Sequence, residues 1–295
     1  DKINFLLYNG EIYNIKYLRS ILNTNNIKLK TESDTELIYE LLRNFGIEKT
    51  LSLIEGMFAF VYFDSLREKI YIAKDKFGQK PLFFYRFNEE IIISSSILSI
   101  RILKPHIDFD EESIVTYILT QGHIEPQKTF FNKIISLQAS HFSIFQDNKE
   151  ISKRYFAIEN IVGNKYQKSK EVDLINEGIN ILSKSVKEHL NADCKVANLL
   201  SGGIDSSLIN YFIQENSQSN TAFMKISEGI DNTPNVFLNH NSLDKKTDLV
   251  LVHPNKKSYL YRLFEYIEFG GRPAPWGGGP PMMDICEKAY KLGFK

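Results

Sequence analysis

The chain is 295 residues long, enough for two ordinary domains, with 43% hydrophobic and 24% charged residues. Its 36 basic side chains balance its 36 acidic ones, so no net field draws it to nucleic acid or to an anionic membrane. No stretch approaches the roughly 20 apolar residues of a membrane span. Two cysteines, Cys194 and Cys286, are too few for a disulfide framework and predict a cytoplasmic protein.

The first residues, Asp1-Lys2-Ile3-Asn4, lead directly into strand-like sequence with neither a signal-peptide pattern nor an initiator Met, and the last are Gly293-Phe294-Lys295. Both ends read as those of a fragment. Short β-type runs occupy residues 3–8, 58–63, 69–72, 82–87 and 91–95, separated by turns at Asp64-Ser65, Phe77-Gly78 and Asn88-Glu89. One helix is predicted over 35–44. Leu37, Ile38, Leu41 and Leu42 recur at helical spacing, Ser33 with Glu36 has the spacing of a capping box, and Gly46 ends the pattern. This half reads as a sheet-rich layered domain with few helices.

Residues 150–172 carry Lys153, Arg154, Lys165, Lys168 and Lys170 among polar neighbours, as a connector does. A helix follows over 172–189 with the apolar stripe Leu174, Ile175, Ile179, Ile181, Leu182 and Val186. An apolar run at 196–200, the loop Ser201-Gly202-Gly203-Ile204-Asp205-Ser206-Ser207 and the helix start Leu208-Ile209 spell strand, glycine loop, helix. That is the order of a parallel α/β unit. The least regular stretch runs from 270 to 281, where glycine and proline dominate.

A helix N-terminus offers unpaired N–H groups and a partial positive charge, which suit phosphate oxygens. Gly202 and Gly203 let the backbone approach an anion without a Cβ in the way, and three serine hydroxyls add donors. Asp205 would repel a bare phosphate, so it predicts a Mg²⁺ ion shared with the phosphates. The loop has no lysine of the Walker kind, which argues against γ-phosphate transfer. The plain alternative is a glycine turn with a Ser or Asp helix cap.

The loop resembles the PP-loop of ATP pyrophosphatases, which cleave ATP between its α- and β-phosphates. The order of motifs resembles that of glutamine-dependent asparagine synthetases. The segments that carry the resemblance are Tyr8-Asn9-Gly10-Glu11-Ile12-Tyr13-Asn14, Ser33-Asp34-Thr35-Glu36, Glu55-Gly56-Met57-Phe58-Ala59-Phe60, Lys74-Asp75-Lys76-Phe77-Gly78-Gln79-Lys80-Pro81-Leu82, and 193–207. It spans most of residues 5–215. It implies an α+β and α/β chain: an N-terminal-nucleophile-hydrolase-like αββα sandwich, then a PP-loop (adenine nucleotide alpha hydrolase-like) domain with a parallel sheet. The implied boundaries are 1–155 for an amidotransferase domain without its N-terminal part, 156–172 for a linker, and 173–295 for an ATP-binding domain without its C-terminal part.

By the same resemblance Asn9 and Gly10 donate to a tetrahedral oxyanion, Glu11 helps position glutamine, and Asp34 holds its α-ammonium. Read alone, Asn9-Gly10 between two β-runs is a hairpin signal, and Asp34 is a first-turn helix charge. In the family a nucleophilic cysteine and a glutamine-gripping arginine precede the Asn-Gly-Glu motif by many tens of residues. No catalytic residue is therefore assigned here, and the sequence as given is expected not to hydrolyse glutamine. Cys194 and Cys286 read as buried packing residues.

In the second part the resemblance puts Ser201, Gly202, Gly203, Asp205, Ser206 and Ser207 around the phosphates of ATP, with Leu199 near the adenine and Asp205 reaching Mg²⁺ through the pyrophosphate. The carboxylate of aspartate attacks the α-phosphate, and ammonia from glutamine then attacks the acyl-adenylate. Met224-Lys225-Ile226 stands where the nucleotide-facing strand belongs, Ser96 and Leu98 stand where the family has Glu and Lys, and 270–281 is unlike it. A second expectation is thus a synthetase-like cyclase or amide ligase that adenylates another carboxylate and uses a substrate amine. A third is a nucleotide-binding regulator without activity. The implied partners are glutamine, aspartate or another carboxylate, and ATP; a homodimer is compatible. The six histidines lack zinc-site spacing, and Trp276 reads as a loop anchor.

Overall fold

From Gly56 to Asp64 large and small side chains alternate: Phe58, Phe60 and Tyr62 on one side, Ala59 and Val61 on the other. Such a strand is built to be covered on both faces. In the computed structural model it is a central strand of a layered domain. The structure describes residues 4–161, 170–192, 194–217, 220–226, 247–253, 259–274 and 278–294. Asp193, Trp276 and most of 229–260 lie outside the described residues. Contacts divide the chain into two units, residues 1–162 with 268–272, and 163–267 with 273–295.

The first unit contains, in chain order, β1 (Phe5–Ile12), α1 (Ile15–Thr24), α2 (Asp34–Leu53), β2 (Gly56–Asp64), β3 (Lys69–Lys74), β4 (Phe83–Phe87), β5 (Glu90–Ser94), α3 (Ile97–Leu103), α4 (Glu111–Leu119), β6 (Ile134–Ser136), β7 (His141–Gln146) and β8 (Lys149–Arg154). One antiparallel sheet has the order β1-β2-β3-β7-β8 and another the order β5-β4-β6. Phe58, Phe60, Tyr62, Ala73 and Phe142 pack under Leu18 and Leu22 of α1 and Leu37, Ile38, Leu41 and Leu42 of α2. The opposite face, with Ala59, Ile72 and Phe145, meets Phe84 and the partly buried Ile91 and Ile93 of the second sheet. Tyr85 and Ile134 turn to the back of that sheet, where Ile97 and Ile100 of α3 cover them. The layers are helix, sheet, sheet, helix, the αββα sandwich that the resemblance implies. Each fully buried Phe or Leu contributes about 1.5–3 kcal/mol of transfer free energy.

Several local expectations are corrected. Among the described residues this half has four α-helices rather than one. α1 fully buries Leu18 and Leu22 and packs the partly buried Ile15 and Ile21 beside them, a stripe at helical spacing for which no helix is predicted above. α2 does not end at Gly46 but bends there, with φ at 77°, and continues to Leu53. Ser33 caps it through Thr35 N–H at 3.2 Å. Glu36, however, turns to the N–H groups of Lys30 and Thr31 and the Thr31 hydroxyl at 2.6–2.8 Å, so the reciprocal capping box is not made. Asn9 and Gly10 lie inside β1, opposite Ala59 and Phe58, and form no hairpin turn.

The second unit has α5 (Glu171–His189), β9 (Asn198–Leu199), α6 (Ile204–Asn216), β10 (Asn220–Lys225), β11 (Thr247–Val252), α7 (Tyr259–Gly270, its last residues grouped with the first unit) and α8 (Gly279–Lys291). The three strands are parallel in the order β11-β10-β9. Leu200, Ala222 and Met224 form one apolar cluster, Phe223, Val252 and Ile285 another. The predicted strand at 196–200 shortens to β9 plus a bond from Leu200 N–H to Phe223 carbonyl at 2.9 Å. None of α5 is fully buried: of its predicted stripe Val186 is half-buried and the others are exposed. Pro280 and Pro281 open α8, where a missing N–H costs nothing, so the irregular stretch ends earlier than the composition suggests. Both cysteines are exposed, contrary to the packing role expected of them. Cys286 is turned one position away from the buried Ile285 face, and Cys194 follows the end of α5. Among the described residues no helix is long and apolar enough to cross a membrane.

Candidate active site

Four residues singled out in the first unit fall on two elements. Asn9, Gly10 and Glu11 sit on β1, and Asp34 opens α2. Burial alternates along β1, with Tyr8 and Ile12 facing the helix layer while Asn9 and Glu11 are exposed. Tyr8, to which the motif alone gives no role, donates its hydroxyl to Asp34 Oδ2 at 3.0 Å and joins the two elements. Burial, the neighbouring Asp34 carboxylate and its hydrogen bond, and Glu11 together hold the phenol far above the ordinary tyrosine value. Tyr8 is therefore a neutral donor at any physiological pH.

Gly10 is a place of close backbone approach. A Cβ there would lie 2.2 Å from the Met57 carbonyl oxygen and 2.7 Å from Phe58 Cα, so any side chain forces β1 and β2 apart. Across β2, Phe58 turns both backbone groups to Asp75: its carbonyl accepts from Asp75 N–H at 2.8 Å and its N–H donates to Asp75 Oδ2 at 3.3 Å. Gly10 and Phe58 are thus a non-hydrogen-bonded antiparallel pair. In such a pair the N–H of Gly10 points outward, and β1 is an edge strand among the described residues. The arrangement presents a backbone donor beside the exposed Asn9 amide.

Asp75 is fully buried. Besides Phe58, its carboxylate accepts from the N–H groups of Phe77, Gln79 and Lys80, each at 3.0 Å. One side chain therefore folds the turn after β3 and fastens it to the strand behind Gly10. Lys74, also buried, donates to Leu137 carbonyl at 3.2 Å. Burial pulls its ammonium below the ordinary lysine value, against the pull of Asp75. Asn14 bridges Leu53 carbonyl at 2.9 Å and Glu55 N–H at 3.0 Å, tying the end of the β1 motif to the end of α2. Only the folded register shows these roles, although every one of these residues lies in a quoted motif.

In the second unit the loop after Leu200 closes on itself. Ser201 N–H donates to Ser206 Oγ at 3.2 Å, the two hydroxyls lie 3.0 Å apart, and Gly203 N–H reaches Ser201 Oγ at 3.4 Å. Gly202 has φ of 80°, a conformation that favours glycine. Gly203 caps α6 without a side-chain cap, and a Cβ on it would meet only Ser201 Oγ at 3.5 Å. Ser201, Gly203 and Asp205 are exposed, as is Leu199, while Ser206 and Ser207 are half-buried. With Gly203 exposed and only Ser201 Oγ near its missing Cβ, the backbone at the N-terminus of α6 is open to an anion. Asp205 is the acidic residue of the first turn. Among the described residues no group of three or more His, Cys, Asp or Glu could hold a metal. A divalent cation at Asp205 would have to share its remaining ligands with a bound anion.

A family model described as a glutamine amidotransferase domain matches residues 1–156, and one described as asparagine synthase matches residues 179–234. These are the two parts that the motifs resemble. The chain is 32% identical over 209 residues to asparagine synthetase [glutamine-hydrolyzing] 1 of Bacillus subtilis, covering 71% of this chain and 32% of that protein. It is 29% identical to the asparagine synthetase [glutamine-hydrolyzing] of Gallus gallus, over 70% of this chain and 35% of that protein. The amidase chyE of Penicillium rubens is 23% identical over 97% of this chain and 44% of its own length. The chain thus spans about a third of the length of the synthetases it matches.

Proposed function

We propose a function from one premise: the chain belongs to the glutamine amidotransferase domain family, whose model matches residues 1–156. The proposed activity is that of a glutamine-dependent asparagine synthetase. Glutamine supplies nitrogen at the first unit, and ATP activates the carboxylate of aspartate at the second. In the first unit, the outward N–H of Gly10 and the amide of Asn9 stabilise the oxyanion that forms on the glutamine amide carbon, as preorganised donors do. Asp34, steadied by Tyr8, takes the α-ammonium, and Glu11 helps orient the substrate.

In the second unit the N-terminus of α6 with Ser201, Gly202, Gly203, Ser206 and Ser207 receives the phosphates of ATP, and Leu199 lies along the adenine. Asp205 would hold Mg²⁺, which would supply charge stabilisation for the departing pyrophosphate. The aspartate carboxylate attacks the α-phosphorus and displaces pyrophosphate. Ammonia then attacks the acyl carbon of the adenylate and expels AMP. The observation that carries the proposal is the outward N–H of Gly10 on an edge strand, beside an exposed Asn9.

A second reading has one observation in its favour. The amidase relative matches 97% of the chain, against 71% for the Bacillus synthetase. On that reading the same loop adenylates another carboxylate and a substrate amine replaces ammonia. Pyrophosphate release from ATP, measured in the longest translated frame that contains this chain, decides between them. Release dependent on aspartate and ammonium supports the synthetase. Release that ignores aspartate but responds to another carboxylate supports the second reading, and none at all removes both.

A further inference from the structure

Beneath the glycine loop of the second unit lies a cluster of buried polar side chains, of which only Asn198 falls within a quoted motif. Asn198 of β9, Asn210 and Gln214 of α6, Asn220 of β10 and Thr247 of β11 are each more than nine-tenths buried. Asn210 Oδ1 accepts from Asn220 Nδ2 at 2.7 Å and from Asn198 Nδ2 at 3.3 Å. Thr247 Oγ1 accepts from Gln214 Nε2 and, at 3.4 Å, from Asn220 Nδ2. The helix that follows the loop is thus held to all three strands by directional bonds as well as by hydrocarbon contact.

The bond between Asn198 and Asn210 matters most for the loop. These residues are 12 positions apart, one on each of the elements that the loop connects. With the loop joining the two elements, this bond constrains the angle between β9 and α6. Apolar packing is non-directional and would let the helix rotate or slide, whereas an amide pair has a narrow range of distance and angle. Buried amides are costly unless paired, and Asn198 keeps this orientation although its Oδ1 has no hydrogen-bond partner. The rows of N–H groups at the start of α6 point along the helix axis, so whatever sets the axis aims the donors.

We propose that Asn210 is a positioning residue for phosphate capture: through Asn198 it sets the direction in which α6 presents its N-terminal N–H groups to a nucleoside triphosphate. This rests on the ATP site proposed above. The test is calorimetric titration of the 295-residue chain with ATP and Mg²⁺ and, separately, with adenosine. Asn210→Leu has a similar volume but no acceptor, and is expected to weaken ATP about tenfold while leaving adenosine unchanged. Asn210→Asp keeps Oδ1 as acceptor for both amides and is expected to restore ATP affinity to within about threefold. Urea midpoints establish that each variant is folded. If Asn210→Leu does not fold, Asn198→Val removes the same bond from the strand side and is held to the same outcomes. Unchanged ATP affinity in the acceptor-less variant overturns the positioning role and leaves the nucleotide site standing. Parallel loss of ATP and adenosine in a folded variant also overturns it, because a general distortion would do that. Absence of ATP binding in the unsubstituted chain overturns the nucleotide site itself, and this role with it.

Discussion

Tyr8 donates its hydroxyl to Asp34 across 3.0 Å, from the middle of an edge strand to the first residue of a helix. The donor is neutral and the acceptor is a carboxylate, so the bond is charge-assisted and holds one oxygen of Asp34 still. Tyr8→Phe keeps the ring in the helix-facing core and removes only this bond. It is expected to lower stability by about 1–2 kcal/mol. In a double-mutant cycle with Asp34→Asn, the two losses should fall short of additivity by about 1 kcal/mol. Strict additivity in urea denaturation would show that the pair does not interact.

The same phenol makes a prediction about alkaline pH. Its folded value lies above the unfolded one because burial and Asp34 both oppose a phenolate. Above pH of about 10 the unfolded chain releases this proton and the folded chain does not. The unfolded state then binds fewer protons, so the contribution of Tyr8 is complete below that pH and falls as pH rises. Stability of the unsubstituted chain should decline more steeply between about pH 10 and 11.5 than that of Tyr8→Phe. Parallel curves from urea titrations would contradict this.

Gly10→Ala tests the close approach of β1 to β2. The added methyl carbon meets Met57 carbonyl oxygen at 2.2 Å and Phe58 Cβ at 2.8 Å, and neither is the far end of a flexible side chain. Relief requires the strands to separate, at a cost of about 3 kcal/mol or more. Hydrogen exchange should quicken at residues 5–12 and 56–64 before it quickens elsewhere. Exchange unchanged in those strands would mean that β1 and β2 are not as close as described.

Much of the first unit was legible because its sheet residues alternate. The runs at 58–63, 69–72, 82–87 and 91–95 are strands, and period-two patterning is a local signal. Helix α1 has a legible stripe as well, Ile15, Leu18, Ile21 and Leu22 at helical spacing, although no helix is predicted there. The extension of α2 past Gly46 was missed because a glycine after ten helical residues reads as an end, whereas here the segment beyond it buries Thr50 and Leu51. In the candidate sites the residue types were legible and their partners were not. Asp75 lies 17 positions from Phe58, and the Asn210 cluster draws on four elements. Nothing in a linear pattern brings those residues together; only strand order and helix crossing do.

Asp75→Ala should be among the most damaging single changes in the first unit. It strips acceptors from the N–H groups of Phe58, Phe77, Gln79 and Lys80 at once. Those that stay buried lose about 1–3 kcal/mol each, so a total of about 3 kcal/mol or more is expected even if some reach water. The turn from 75 to 80 should become a site of limited proteolysis in the folded protein. A variant that resists protease there and unfolds at the same urea concentration would refute the anchoring role.

The last prediction concerns the sign of one charge. Asp205 occupies the first turn of α6, where the helix N-terminus attracts anions and a carboxylate repels them. Without magnesium, Asp205→Asn removes that repulsion, and ATP should bind about threefold more tightly than to the unsubstituted chain. With magnesium present the carboxylate is a ligand rather than an obstacle, and the same variant should bind about tenfold more weakly. The two titrations therefore cross. A carboxylate that only caps the helix shifts both in the same direction, because the phosphates then feel its charge whether or not the metal is there.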